Sequence, residues 1–270
     1  MYSRPLTPDS PRPAVALMHY APAMALLPWI QSYWVLEQTF SALPTPQKLH
    51  PDGGVSLILD LASAAPQATL VASSRLVYQS FSGPVSRLGI RFQPGGLVAL
   101  FGLDIQELMD TPIPVADLSL PGWDRLFACI TDAPWPLVRH LPLLDNWLLL
   151  QARAQQAAPG TLQRLLPWLL TGRLDINTLI STQGLSRRTL ERLLRDQVGL
   201  APAQLNRLGQ IKRARNLLIG GVQPVSSIAL DCGFHDQAHF THHFRRHTDE
   251  TPGAYRKRKL TQIYNRPPDS

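Results

Sequence analysis

The chain has 270 residues, 44% of them hydrophobic, which is enough for one large domain or two ordinary ones with real cores. Its net charge of +7 is uneven: residues 171–260 hold 15 Lys and Arg against 7 Asp and Glu, and the remainder 11 against 12, so only the last third carries the electrostatic signature of a polyanion partner. Cys129 and Cys232 lack CxxC spacing and read as ordinary buried thiols of a reducing compartment; with no basic flank and apolar run at the start, and Leu141–Leu150 too short to span a bilayer, the expectation is a cytoplasmic protein without a membrane partner.

Residues 1–13 are rich in Pro and Ser and are expected to be poorly ordered. From residue 14 to about 92 the chain reads as short strands. Ile30–Leu36 is aromatic and β-branched, Val55–Leu61 follows the turn signal Pro51-Asp52-Gly53-Gly54, and Leu70–Ala72, Leu76–Gln79 and Arg87–Phe92 continue the pattern between Ser, Gly and Pro breaks. Many short strands in a half-length domain predict a small barrel or sandwich. Helical periodicity then takes over at Leu97–Phe101, Trp123–Thr131 and Pro136–Ala157, where Leu137, Leu141, Leu144 and Leu148 recur at three and four. Ala158-Pro159-Gly160 breaks this pattern and divides a domain over 14–157 from an all-α domain over 160–259, giving an α+β chain overall.

The second half repeats itself. Leu190, Leu194, Arg195, Ala201 and Pro202 match Phe240, Phe244, Arg245, Thr251 and Pro252 at an offset of fifty; Leu179 and Gly184 match Ile228 and Gly233 at forty-nine. Each copy reads as a short helix, a Gly-containing turn, a second helix rich in Arg or His, and a Pro that opens the next helix. After a helix over Thr161–Thr171, Asp175 is placed to cap Ile176–Thr182 and Ser186 to cap Arg187–Val198 by accepting free N–H groups. Gly199 ends that helix with positive φ, and Pro202 opens a long one to Ile219. The second copy runs Val225–Asp231, a turn at Cys232-Gly233-Phe234, a helix from about Asp236 to His247, and a final helix from Thr251-Pro252. Two helix-turn-helix units in tandem can read two grooves of one duplex.

In each unit one face of the second helix must pack, leaving the other for DNA. Leu190, Leu193 and Leu194 form the first packing stripe, so Arg187, Arg188, Glu191 and Arg192 are the candidates to face the groove. Arginine's fork matches the two acceptors of guanine, and Glu can accept from cytosine. In the second unit Phe240 and Phe244 pack, leaving Gln237, His239, Thr241 and His242 for bases; Arg245, Arg246, Arg256 and Lys257, with Arg258 and Lys259 beside them, are assigned to phosphate. His235, His239, His243 and His247 recur at i, i+4, a spacing that can bind a metal. No Cys or carboxylate completes a site, and His50 stands alone, so no metal and no cofactor is expected. No phosphate-cradling Gly loop or nucleophile elbow is present, and Pro94-Gly95-Gly96 reads as a turn, so no catalysis is expected.

The segment Gly233-Phe234-His235-Asp236-Gln237-Ala238-His239-Phe240, with Phe244-Arg245-Arg246 and Thr251-Pro252-Gly253-Ala254-Tyr255-Arg256, resembles the second helix-turn-helix of AraC/XylS-type transcriptional regulators. Leu185-Ser186-Arg187-Arg188-Thr189-Leu190-Glu191-Arg192 through Gly199-Leu200-Ala201-Pro202 resembles their first, so the likeness covers roughly 160–258. Pro51-Asp52-Gly53-Gly54 and Gly89-Ile90-Arg91-Phe92-Gln93-Pro94-Gly95-Gly96 resemble the N-terminal domain of one subgroup. Three departures stand out. Thr248-Asp249 replaces the usual Phe-Gly, Ile180 replaces a small residue, and Gly209-Gln210 replaces Leu-Arg in the linker helix, where a mid-helix Gly adds pliability.

The resemblance implies a regulator that binds double-stranded promoter or operator DNA, with an N-terminal domain that takes a small-molecule effector or forms a homodimer, and with RNA polymerase as a partner in an activator. Trp34, Asp52 and Arg91 are the candidates to line an effector pocket. Two rivals stay open: a β-barrel enzyme carrying a DNA-binding tail, and a DNA-repair methyltransferase, although neither Cys129 nor Cys232 has a Pro-Cys-His setting.

Overall fold

The computed structural model describes residues 16–38, 47–49, 51–79, 84–133, 135–171 and 176–264. The expected disorder of 1–13, His50 and the Asp175 cap fall outside them. Eight strands occupy the first half: β1 Ala16–Tyr20, β2 Ile30–Gln38, β3 Gln47–Leu49, β4 Val55–Asp60, β5 Gln67–Ala72, β6 Val77–Gln79, β7 Val85–Phe92 and β8 Ile113–Pro114. They are divided unequally between two sheets. Six form one antiparallel sheet in the order β1-β2-β7-β4-β5-β8, and β3 pairs only with β6. Period-two alternation decides which face packs. Val55, Leu57 and Leu59 pair in register with Ala72, Leu70 and Ala68, beside Leu88 and Ile90 of β7, and all are buried. Ser56 and Asp60 of β4, with Arg87 and Arg91 of β7, take the opposite face, where Arg87 and Asp60 form an ion pair at 2.7 Å.

Against the packed face lie α1 (Gly96–Phe101), α2 (Ile105–Leu108), α3 (Trp123–Asp132) and α4 (Leu141–Ala154). Phe101 and Trp147 approach to 5.1 Å and Trp123 and Trp147 to 5.5 Å between centroids, so aromatic side chains fill much of this contact. Asp145 of α4 ties the layers together: it accepts from the Tyr33 hydroxyl at 2.7 Å and the Ala23 amide at 3.0 Å. Burial and this carboxylate both push the Tyr33 phenol well above its ordinary range. The continuous helix expected over Pro136–Ala157 instead begins as a 3-10 turn, Leu137–His140, and restarts at Leu141. Pro142 lacks the N–H that would carry the ladder through, and is tolerated only in a first turn. Cys129, expected to be buried, is exposed on α3; Cys232 is buried, which pushes its thiol up to about 11.

The second half contains α5 (Thr161–Thr171), α6 (Ile176–Thr182), α7 (Arg187–Val198), α8 (Pro202–Gly220), α9 (Val225–Asp231), α10 (Gln237–Thr248) and α11 (Pro252–Tyr264). Its hydrophobic residues divide into two cores that share α8. Leu205 and Leu208 join Leu162, Leu179, Leu190 and Leu194, whereas Ile211, Ala214 and Leu218 join Ile228, Phe234, Phe240, Phe244 and Tyr255. Gly209 marks the change-over, and it does more than loosen the helix. A Cβ there would sit 2.6 Å from the Leu170 carbonyl oxygen and 2.7 Å from that of Leu169, so the end of α5 crosses α8 at a distance only Gly permits.

Candidate nucleic-acid interface

The two units are capped by different residues doing equivalent jobs. Ser186 accepts the Thr189 amide at 3.0 Å to start α7, and the Asp236 carboxylate accepts the His239 amide at 2.7 Å to start α10. That amide, more than the neighbouring His235 ring, holds the Asp236 carboxyl below its ordinary range. Gly199 ends α7 at φ 75° and Asp249 ends α10 at φ 58°, so the left-handed turn survives the replacement of Gly by Asp.

Packing of α7 through Leu190, Leu194 and Val198 turns Arg187, Arg188 and Arg192 to solvent, with Glu191 half-buried. Arg187 donates to Glu191 at 3.1 Å; such an exposed i, i+4 pair is worth about 0.3–0.5 kcal/mol, so DNA can break it cheaply. On α10, Gln237, Thr241, His242, Arg245 and Arg246 line one open concavity with Ala238, Asp249 and Thr251. The structure therefore groups five of the expected residues on one surface, and adds Ala238, Asp249 and Thr251.

Three expected residues lie elsewhere. His239 is half-buried: it flanks Phe240 and sits one turn from His243, so its ring packs against Phe234 at 5.7 Å and His243 at 4.7 Å. Arg207 of α8 stacks over Phe234 at 4.8 Å, which brings a cation close enough to His243 to disfavour its protonation. Among the described residues no group of three or more His, Cys, Asp or Glu is placed to hold a metal. Arg256 reaches back to the Gln223 carbonyl at 2.6 Å and the Leu218 carbonyl at 3.3 Å, capping the end of α8. Arg258 is likewise engaged with Glu250, at 2.8 and 2.9 Å, while Lys257 points outward. The recurrence of Lys and Arg in 256–259 hides this division, which is set by the face that α11 turns to α8.

The effector candidates also separate. The Trp34 ring is seated over Gly89, whose missing Cβ would lie 2.0 Å from it, and joins Leu36 and Val85 in a small cluster. Arg91 forms an ion pair with Asp52 and donates to the Ser56 hydroxyl at 2.9 Å. Asp52 lines a narrow cleft whose far wall is α8, with Lys212 and Arg215 and with His247 of α10. Lys212 and Arg215 were not singled out from the sequence, and His247 only for its spacing to other histidines, because the strand signal around Asp52 says nothing of what it docks against.

That docking is extensive. A Cβ on Gly53 would meet Leu205 at 2.7 Å, one on Gly95 would meet Leu162 at 2.3 Å, and one on Gly199 would meet Met109 at 2.8 Å. Gln106 of α2 donates to the Arg195 carbonyl at 2.7 Å, and the Tyr78 hydroxyl of β6 donates to Asp249 at 2.5 Å. Both Gly-rich motifs of the N-terminal half thus seat against the hydrophobic core that the first helix-turn-helix unit shares with α5 and α8.

The chain resembles known proteins in parts of its length. The family described as "Helix-turn-helix domain" matches residues 181–258, and a domain of unknown function matches residues 18–114. The chain is 36% identical over 132 residues to the HTH-type transcriptional activator RhaS of Citrobacter koseri, covering 45% of this chain and 47% of that protein. It is 34% identical over 134 residues to RhaS of Escherichia coli O157:H7, covering 47% and 48%. The chain thus spans about half the length of the curated relatives it matches. Among solved structures, it is similar to the DNA-binding domain of the global transcriptional factor AdpA in complex with a target DNA. That match has 30% identity, covers 39% of this chain and 94% of that one, and has a TM-score of 0.34. An AraC-type regulator from Chromobacterium violaceum matches at 30% identity over 35% of this chain and 88% of its own, with a TM-score of 0.33.

Proposed function

We propose, from the premise that the chain is an AraC/XylS-type transcriptional regulator, that it binds specific double-stranded DNA sites through both helix-turn-helix units at once. The observation that carries this is a pair of capped helices, each with an exposed polar face, mounted on one bridging helix in a segment of net charge +8. At 1.5 Å per residue the 19 residues of α8 span roughly 28 Å, which matches two major-groove segments about one turn, ~34 Å, apart. Arg188 and Gln237 stand near the starts of their helices and are assigned to base edges; Arg192, Arg245, Arg246 and Lys257 are assigned to phosphate.

Residues 14–157 are assigned to regulation and 160–259 to DNA, with the break at Ala158-Pro159-Gly160. Three separate hydrophobic cores support the division: one whose fully buried members end at Leu148, and two that begin at Leu162 and Ile211. The first half would sense a small molecule or form a homodimer, RNA polymerase would be met if the protein activates, and the setting is the cytoplasm. No helix among the described residues is long and apolar enough to cross a membrane. A non-catalytic role for the first half is favoured because Arg87 and Asp60 are committed to each other in an ion pair, and Tyr33 and Asp145 to a hydrogen bond that ties its layers together.

Sequencing the genomic fragments bound by the full chain, followed by footprinting, tests this. The expected pattern is two protected clusters about ten base pairs apart per monomer. One cluster would mean that a single unit docks, and uniform protection of random DNA would remove the claim of specificity. Turnover of a metabolite by the purified protein would revive the enzyme.

A further inference from the structure

We propose that the narrow cleft between the Pro51-Asp52-Gly53-Gly54 loop and α8 is a binding site for a small oxyanion, the carboxylate or phosphate group of a metabolite, which would bridge the N-terminal half to the linker helix. The regulatory reading is needed only for what such binding does to DNA affinity, not for the binding itself.

The charge inventory points to an anion. The titratable groups lining the cleft are Asp52 from the loop, Lys212 and Arg215 from α8, and His247 from α10; Arg91 of β7 stands behind Asp52, within electrostatic reach of Lys212. The sole carboxylate among them is already neutralised, because Arg91 pairs with Asp52 and also binds Ser56. Two cations remain. Arg215 spends Nε on the neutral Tyr255 hydroxyl at 3.1 Å, and Lys212 has no hydrogen-bond or carboxylate partner among the described residues. Burial first, and then the nearby Arg91 and Arg215 charges, hold the Lys212 ammonium below its ordinary value, so Lys212 lies within repelling reach of two other cations. A bound oxyanion removes that repulsion.

The walls suit the task. Leu208 and Ile211 give an apolar floor that excludes water and strengthens any charge pairing above it. Gly53 locks the loop against Leu205, so the cations face a fixed opposite wall. His247 shares a hydrogen bond at 2.8 Å between Nδ1 and the His243 carbonyl, which fixes the proton there and leaves Nε2 to titrate. An anion held there would favour the doubly protonated ring, against burial and the Arg246 and Arg207 charges that disfavour it.

The test uses the full chain without DNA. Inorganic phosphate and succinate are titrated calorimetrically against chloride at matched ionic strength. Saturable binding of at least one oxyanion is expected, with affinity lowered at least about tenfold in Lys212→Met and raised several-fold in Asp52→Asn, which leaves the Arg91 charge behind the loop unpaired. Phosphate alone, succinate alone, or both would identify the head group. No saturable heat from either anion, or equal affinity in the wild type and Lys212→Met, overturns the proposal. Because no duplex is present, a failure of DNA binding leaves this result standing.

Discussion

The two helix-turn-helix units share a plan and differ in nearly everything that fills it. The first has a core of leucines, a Ser cap and a Gly terminator; the second has a core of Phe234, Phe240, Phe244 and Tyr255, an Asp cap and an Asp terminator. Cap and turn geometry is thus the invariant of the unit, and the core tolerates any filling of suitable volume. Their attachments differ too. The N-terminal half seats Gly53, Gly95 and Met109 on the first unit, but reaches the second through the Tyr78–Asp249 hydrogen bond and the Asp52 cleft. The N-terminal half therefore makes its closest backbone approaches to the core around the first unit.

The largest test of that asymmetry is core truncation. Phe240→Ala should cost about 3–5 kcal/mol and Leu190→Ala about 2–5 kcal/mol, each leaving a cavity that the surroundings only partly fill. In the full chain Phe240→Ala should erase one protected cluster in a footprint and spare the other, because the two cores share only α8. Loss of both clusters together would mean that the units fold as one.

Next come the exposed faces. Arg188→Ala and Gln237→Ala should each cost on the order of 1–3 kcal/mol on the cognate site and little on random duplexes. Lys257→Ala should weaken both alike and flatten the salt dependence. Arg256→Ala should behave as a stability change, lowering the urea midpoint, since its guanidinium is held by the Leu218 and Gln223 carbonyls. If Arg256→Ala lowered affinity for all DNA with an unchanged midpoint, its assignment as a cap would fall.

Much of this was legible in the sequence, and the reasons are local. Ser186, Gly199, Pro202, Gly184 and Gly233 announce caps, left-handed turns and first-turn positions by chemistry that acts within four residues, so the helices of the second half were placed nearly to the residue. β1 was not seen because it is an edge strand whose Leu17 and Met18 are both exposed, so it shows no alternation. The two-residue β8 is too short for any pattern. The half-burial of His239 is not legible because a helical wheel centred on two Phe residues does not tell how wide the packed stripe is; Phe234, from the preceding turn, widens it. Gly209 looked like a weakness because its reason, the carbonyl end of α5, lies about forty residues away.

Exchanging the terminators gives a smaller effect with opposite signs. Gly199→Ala forces a Cβ into a left-handed backbone and against Met109, and should lower stability by about 1–2 kcal/mol. Asp249→Gly relieves the same kind of strain in the second unit, but gives up the bond from Tyr78, so the net gain should stay below about 1 kcal/mol. Urea midpoints of the two variants measure both. If Asp249→Gly were the more destabilising of the two, the Tyr78 bond would outweigh the backbone, and the second unit would be held more firmly than the first.

The smallest difference between the units is in pH. The first unit, from Ile176 to Pro202, contains no histidine, whereas the inner stripe of α10 carries three. His243 lies among His239, His242 and His247 of its own helix, with Arg207 facing it from α8; burial first, and then Arg207, holds its pKa down to about 4. The unfolded chain would protonate it near 6.5. As pH falls below 6.5 the unfolded state takes up the proton first, so the stability from this group is fully present above 6.5 and is lost progressively down to about 4. His247, lowered chiefly by burial, has the same sign. Hydrogen exchange should therefore show the Phe244 amide losing protection between pH 7 and 5 more than the Leu194 amide does. His243→Asn should reduce that difference without abolishing it, because His247 remains. Equal pH dependence at the two amides, or an unchanged slope in His243→Asn, would mean that the imidazole titrates as freely in the folded unit as in the unfolded chain.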